Sequence, residues 1–429
     1  MTDKFDAIVV GAGPAGSAAA YSMAKSGLSV LVIEKGEFPG AKNTSGAVFY
    51  DEILNELMPG FWQEAPVERW VNNHVITLLG EDSSISMKFS HEQPQKPVGL
   101  TVLRSKFDRW LAQKAADAGA LILSSTLAED LILEKGKVKG VRVAKEKGEA
   151  YADVVIIADG ANSLLIEKAK LRHNPKLRYA GLGVKELIKL PAHEIEQRFQ
   201  LSGNEGAAYT FVGDGTHGLP GGCFLYTNKE SLSIGLIVNL DNLKDAKVQP
   251  FTLLDHFKEH QAVSPMLSGG IVKEYSAHLI PEGGYDMMPQ LYSDGVLVAG
   301  DAAGLTLNSG LTLRGMDLAI ASGIAAAEAV KKAKERADFS ASALSHYKRA
   351  LEQGFVLKDL RRFQHLSRLL QNGRIYRDYP AWFCRVAKSL FAVGTGSKER
   401  AFKVVMKEKP RNLNYLKIVD DILKGIRNL

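Results

Sequence analysis

An α/β fold is expected: a Rossmann-like core of parallel strands and helices, an inserted antiparallel-sheet domain, and a helical C-terminal region. Three observations predict it. The opening "FDAIVVGAGPAGSAAAYSMAKSGLSVLVIEK" reads as strand, glycine turn, helix and second strand. Segments such as "CFLYTNKESLSIGLIV" alternate apolar and polar residues like antiparallel strands. Beyond about residue 340, Tyr347, Leu351, Phe355, Leu360 and Phe363 keep helical spacing.

The opening unit comes first. Ala7 to Val10 forms a short apolar strand, and Leu28 to Ile33 forms the next, with Glu34 at its carboxyl end. Between them Gly11, Gly13 and Gly16 complete G-x-G-x-x-G, with Ala15 inside the motif and Gly27 closing the helix. Gly11 permits the tight turn, Gly13 lets a pyrophosphate approach the backbone, and Gly16 lets helix and strand pack closely. The helix start offers unpaired N–H groups and the positive end of a dipole to that pyrophosphate. Glu34 accepts from ribose hydroxyls and repels a 2′-phosphate. The unit therefore predicts a dinucleotide site, and Lys35 joins Glu34 at its edge.

One such unit holds half of a dinucleotide, and flavin adenine dinucleotide needs a second, distant segment for its ribityl and flavin end. "GVLVAGDAAGLTLNSGLTLRG" supplies a strand running into Gly300-Asp301, whose carboxylate suits a ribityl hydroxyl. Gly310 and Met316 follow, at the approach to the helix "MDLAIASGIAAAEAV", which would aim its N-terminus at the flavin edge. "ADVVIIADGANSLL" is a buried strand ending in Asp159-Gly160, and in "TVLRSKFDRWLAQKA" Arg104 precedes an amphipathic helix and reaches for a phosphate. Gly46 lies in the linking "NTSGAVFY". In this order the segments resemble the glutathione-reductase-type FAD fold of the aromatic hydroxylase and geranylgeranyl reductase superfamily. A second G-x-G-x-x-G after a strand is absent, so no separate pyridine-nucleotide domain is expected. The expected FAD-binding domain comprises residues 1–72, 98–185 and 285–340; residues 73–97 and 186–284 form the substrate domain, and 341–429 the helical basic region.

Composition narrows the chemistry. The chain has 429 residues and two cysteines, Cys223 and Cys384, too few for a disulfide framework or a four-cysteine cluster. No apolar run approaches the ~20 residues of a membrane span. The asparagine of "NTS", Asn43, is a chance glycosylation sequon in a cytosolic chain. Net charge is +6, yet Lys358 to Leu429 holds 17 basic and 6 acidic residues, so the tail is basic and the body mildly acidic. "HFKEH", from His256 to His260, fits a metalloprotease pattern, but nothing else in the chain completes such a site, so no metal is expected there. In "YPAWFCRVAKSLFAV", Trp382, Phe383, Val386, Leu390 and Val393 share one helix face opposite Arg385 and Lys388, a composition that suits core and membrane interface alike.

The segments "FPGAKNTSGAVFY", "VLRSKFDRWL", "GVKELIKLP", "GGCFLYTNKESLSIGL", "EYSAHLIPEGG" and "GDAAGLTLNSGLTLRGMDLAIASG" are more specific still. They resemble the Fix C and electron-transfer flavoprotein–quinone oxidoreductase family over nearly the whole chain. The resemblance implies an oxidoreductase with one FAD, electrons arriving from the two subunits of an electron-transfer flavoprotein in a bifurcating complex, and a membrane quinone as acceptor. FAD contacts are then implied at Gly11, Gly13, Gly16, Glu34, Arg104, Gly300 and Asp301. Fused members carry a C-terminal [4Fe–4S] cluster, for which this chain lacks cysteines; the Fix C pattern places it on a separate small ferredoxin-like subunit. The basic tail would dock that partner or anionic lipid, putting the protein on the cytoplasmic face of the membrane. Tyr226 and His278 are candidates to hydrogen-bond a quinone carbonyl, and no catalytic triad is expected. The competing readings are a prenyl reductase of the geranylgeranyl reductase type, whose aromatic stretch and flavin-side cysteine are missing here, an NADPH-dependent hydroxylase, and an assembly subunit with a structural flavin.

Overall fold

The computed structural model describes residues 4–42, 47–91, 99–144, 148–172 and 180–428. Its strands in chain order are β1 (Lys4–Val10), β2 (Val30–Ile33), β3 (Ala47–Phe49), β4 (Val67–Leu79), β5 (Ser84–Ser90) and β6 (Leu100–Val102). There follow β7 (Leu121–Leu123), β8 (Ala128–Glu134), β9 (Lys137–Val143), β10 (Glu149–Ile157), β11 (Ala180–Lys189), β12 (Glu205–Gly213) and β13 (Gly221–Thr227). The last are β14 (Ser231–Asn239), β15 (Ile271–Pro281), β16 (Tyr292–Ser293), β17 (Val296–Val298), β18 (Leu307–Asn308) and β19 (Leu313–Arg314). The helices include α1 (Pro14–Ala24), α2 (Arg104–Asp117), α3 (Pro250–Glu259), α4 (Met316–Glu335), α5 (Asp378–Phe391) and α6 (Tyr415–Asn428), of which α1, α2 and α4 reach the site.

The first sheet has the order β16-β17-β10-β1-β2-β7, and the β8–β9 hairpin attaches to β10. β17, β10, β1, β2 and β7 are parallel. Their centres, Ala7 to Val10, Val30 to Ile33 and Val154 to Ile157, are buried throughout. Such continuous apolar runs are what a parallel sheet covered on both faces requires. α1 and α4 pack together closely: a Cβ on Gly323 would stand 2.2 Å from the Ala15 carbonyl oxygen.

The second sheet runs β15-β11-β14-β13-β12-β4-β6-β3, with β5 on β4. It is antiparallel except where β12 runs parallel to β4. β4 and β11 each run unbroken across the places where the sequence suggested a boundary, after residues 72 and 185. Alternation marks strands but not which sheet they join, so a break in chemistry along one strand looks like a break between domains.

The C-terminal region is helical. Only part of the expected stripe is core: Trp382 and Val386 of α5 pack with Val404 and Leu413, while Phe383 is exposed, as is Val393 beyond the helix end. α6 is held to the body by polar groups. Asp421 accepts from Arg374 (2.8 and 2.7 Å), Asn372 (2.9 Å) and the Tyr379 hydroxyl (2.5 Å). Leu416, Val419, Ile422 and Ile426 recur every three or four residues on its opposite side and are all exposed. Among the described residues no helix is long and apolar enough to cross a membrane.

Candidate functional site

The turn from β1 into α1 is built by steric exclusion. Gly11 adopts φ +100°, and a Cβ there would lie 2.4 Å from the Ala158 carbonyl oxygen. A Cβ on Gly16 would lie 1.9 Å from the Gly11 carbonyl oxygen, so the helix can approach the turn only without one. Gly13 differs: a Cβ there would meet nothing within 4 Å. Its space is a cavity. Beside it, Glu34 accepts from the Ala12 N–H through Oε2 (2.9 Å) and from the Gly36 N–H through Oε1 (2.6 Å). The buried carboxylate is thereby locked in place with lone pairs to spare for a ligand's hydroxyls.

The cavity encloses about 1020 Å³ and is lined from both sheets. Gly11, Gly13, Ala15, Glu34, Lys35, Arg104, Asp159, Gly160, Gly300, Asp301 and Met316 all line it. Three expected residues stand apart. Gly16 lies behind the turn, where it serves packing. Gly310 is exposed in the loop of the β18–β19 hairpin, its N–H bonded to Asn308 Oδ1. Gly46 lies outside the described residues, as does Asn43. Opposite the glycine turn, Lys185 on β11, Tyr226 on β13 and His278 on β15 form a second wall.

Charge in this cavity is organised around Arg104. Its Nε and one terminal nitrogen donate to the two carboxylate oxygens of buried Asp108, at 2.7 and 2.8 Å. This fork fixes the guanidinium at the start of α2. Asp301 lines the cavity; burial raises its pKa, and the charges of Arg104 and His278 oppose that rise. Burial lowers the pKa of His278, with Asp301 countering. Asp159 is pushed up to about 6 by burial, and its Oδ1 has no partner among the described residues. Burial, then Arg104, brings the Lys185 amine down to about 7, while Glu274 acts the other way. Burial also lifts Tyr226 above the ordinary phenol range.

A flavin adenine dinucleotide fits this donor set. The starts of α1 and α4 both reach the cavity through Pro14 and Met316, bringing two positive helix ends to it. Gly13 leaves the room a pyrophosphate would fill, Glu34 is set for ribose hydroxyls, and the orphaned Asp159 oxygen calls for a donor. Comparison with known proteins agrees. Residues 6–166 match the family model described as FAD dependent oxidoreductase, and residues 179–280 match that described as ETF-QO, ubiquinone-binding. A probable electron transfer flavoprotein-quinone oxidoreductase of Escherichia coli is 44% identical, over 99% of this chain and 98% of its own length. The FixC protein of Bradyrhizobium diazoefficiens is 39% identical, over 100% and 99% respectively.

The chain belongs to the FixC and electron-transfer-flavoprotein–quinone oxidoreductase family. It is an oxidoreductase, and its cofactor is FAD. A geranylgeranyl bacteriochlorophyll reductase-like protein of Thermoplasma acidophilum shares the fold, with a TM-score of 0.74, 24% identity and 99% coverage of both chains. The flavin-dependent halogenase CmlS shares it at a TM-score of 0.64 and 19% identity, covering 100% of this chain and 78% of its own.

Two groups of this FixC-family flavoprotein escaped the sequence reading. Lys185 interrupts the apolar run of "GVKELI", and a charge at a buried strand position was the signal available. Glu282 is pushed up to about 7 by burial, and a Cβ on Gly181 would stand 2.6 Å from its carboxyl carbon. Nothing in "IPEGG" marks that burial.

Proposed function

We propose that this flavoprotein accepts electrons from the two-subunit electron-transfer flavoprotein of a bifurcating complex and delivers them to a membrane quinone. One observation carries the reading: the residues matching the ubiquinone-binding model, 179–280, include β11, β13, β14 and most of β15, which wall the cavity opposite the glycine turn. Bound FAD would accept and donate electrons singly or in pairs. Glu34, Gly13 and the start of α1 would hold its adenosine and pyrophosphate, and Asp301 its ribityl chain. Phe224, Ile237 and Ile280 on the second wall would exclude water from the acceptor. Rapid mixing tests the reading: reduced electron-transfer flavoprotein should bleach the FAD absorbance, and a soluble ubiquinone analogue should restore it. Bleaching by NADPH instead would overturn it.

Quinone reduction to quinol consumes two protons as well as two electrons, and Lys185 stands where it can give one. The protonated amine is the donor and predominates below its pKa of about 7. Quinone-dependent reoxidation is therefore expected to slow as pH rises through about 7. Lys185→Met should remove that limb while leaving reduction by the flavoprotein donor intact. An unchanged pH profile in Lys185→Met would show that the proton comes from elsewhere.

A small ferredoxin-like subunit and a lipid surface are the further partners in this reading, at the cytoplasmic face of the membrane. Arg361 and Arg368 are engaged within the chain, with Glu352 and Asp286. Docking of an acidic partner then rests on exposed residues such as Arg362, Lys398, Arg400 and Arg411. The outward stripe of α6 suits lipid, since each aliphatic side chain buried there contributes about 1.5–3 kcal/mol. Leu416→Asp with Ile426→Asp should abolish sedimentation with anionic vesicles and leave flavin content unchanged. Retained sedimentation would assign membrane contact to another surface.

A further inference from the structure

The two histidines of "HFKEH" do not meet. His260 Nε2 lies 2.8 Å from the Gly80 carbonyl oxygen, and its Nδ1 accepts from the Ala262 N–H at 3.1 Å. His256, within α3, points elsewhere, while His260 follows the helix end. Its Nε2 lies 2.7 Å from Asp214 Oδ2, and its ring centroid is 4.0 Å from that of His217. The ligand atoms of Asp214, His217 and His256 all lie within 4.8 Å of one another. None of the three lines the flavin cavity.

The turn that presents Asp214 and His217 is tightly built. The His217 N–H bonds the Asp214 carbonyl at 2.7 Å, and His217 adopts φ +51°, a left-handed conformation uncommon for a residue with a side chain. α5 and the residue before it press on the same turn. A Cβ on Gly213 would stand 2.9 Å from Pro380 Cβ, and one on Gly218 2.8 Å from Arg377 Cβ. The turn is thus fixed from behind, while His217 faces solvent.

We propose that Asp214, His217 and His256 form a binding site for a borderline divalent transition ion, with Zn²⁺ as its best fit. Two imidazoles and one carboxylate make a nitrogen-rich set that suits zinc, cobalt and nickel, whereas magnesium and calcium require oxygen ligands. Bonds of about 2.0–2.2 Å in a tetrahedral site put neighbouring ligand atoms roughly 3.4 Å apart. All three pairs lie within 4.8 Å, so binding needs the His256 and Asp214 ligand atoms, now 2.7 Å apart, to part by less than about 1 Å and the exposed His217 ring to turn toward them. Water takes the fourth position. The ion would staple the β12–β13 connection to α3, beneath the start of α5. Its role is to fix the turn against which Arg377 and Pro380 pack, with no part in electron transfer.

Metal analysis after equilibrium dialysis tests the site, using tag-free, FAD-loaded, full-length protein first stripped with a chelator. Wild type is expected to take up about one Zn²⁺ per chain, retained against excess Mg²⁺, and to gain thermal stability by linkage. Loss of even an outer-shell partner weakens metal affinity by about 10–100-fold, so His217→Ala should cost at least as much. His217 is exposed, so this variant is expected to fold and keep its flavin. His193→Ala, at another exposed histidine, should bind zinc like wild type. No saturable uptake by wild type, or uptake unchanged in His217→Ala, would overturn the proposal. So would displacement by Mg²⁺.

Discussion

Gly13→Val is expected to give a folded, colourless protein. The missing Cβ at Gly13 meets nothing within 4 Å, so valine costs the apoprotein no packing and projects into the cavity where the pyrophosphate would lie. Gly16 supplies the contrast. Even alanine there would drive a carbon to 1.9 Å from the Gly11 carbonyl and force α1 off the turn. Gly13→Val should therefore match wild type in circular dichroism and lose nearly all absorbance near 450 nm, while Gly16→Ala should lower the melting temperature of the apoprotein as well. Full flavin occupancy in Gly13→Val would remove the pyrophosphate from this turn.

The second large effect is expected at Asp301. A hydrogen bond to a charged group contributes about 1.5–3 kcal/mol, so Asp301→Ala should weaken FAD binding by roughly 10–150-fold. Arg104 would keep its fork on Asp108, so the loss reports the ligand contact and not a stranded guanidinium. pH gives a second readout. The ionised carboxylate is the acceptor and burial raises its pKa, so wild-type affinity should fall on acidification sooner than an ordinary carboxylate would allow. Asp301→Asn should flatten that dependence. Titration of apoprotein with FAD across pH checks both, and unchanged affinity in Asp301→Ala would place the ribityl chain elsewhere.

The sequence made the first sheet and its glycine turn legible because each rests on local constraints. Gly16 is demanded by the Gly11 carbonyl within one βα unit and Gly11 by its positive φ, with distant Ala158 adding to the constraint, and the run at Val296 to Asp301 declares a buried strand and its polar end. Gly310 shows the limit of that logic. Glycine richness signals a turn whether or not a ligand lies near, and here the turn closes a small hairpin. Lys185, Glu282 and the Asp214–His217–His256 cluster depend on how distant strands and helices come together. The motif "HFKEH" pairs His256 with His260, whereas the fold sets His256 beside Asp214 and His217. The stripe in α5 and that in α6 look alike in sequence; only packing turns part of the first inward and leaves the second to solvent.

The flavin cavity takes Gly11 and Gly13 from the beginning of the chain and Gly300 and Asp301 from a point roughly 290 residues later. A ribosome adding about 5–20 residues per second needs roughly 15–60 s to cross that interval. During this time the apolar strands β1, β2 and β10 have left the tunnel, yet β17, which borders β10, does not exist. Cofactor capture would thus wait until β17 and Asp301 have been made. A nascent chain released before Val296 should expose an unpaired β10 edge and hold no flavin, which makes the rate of elongation through the second sheet part of how this flavoprotein matures.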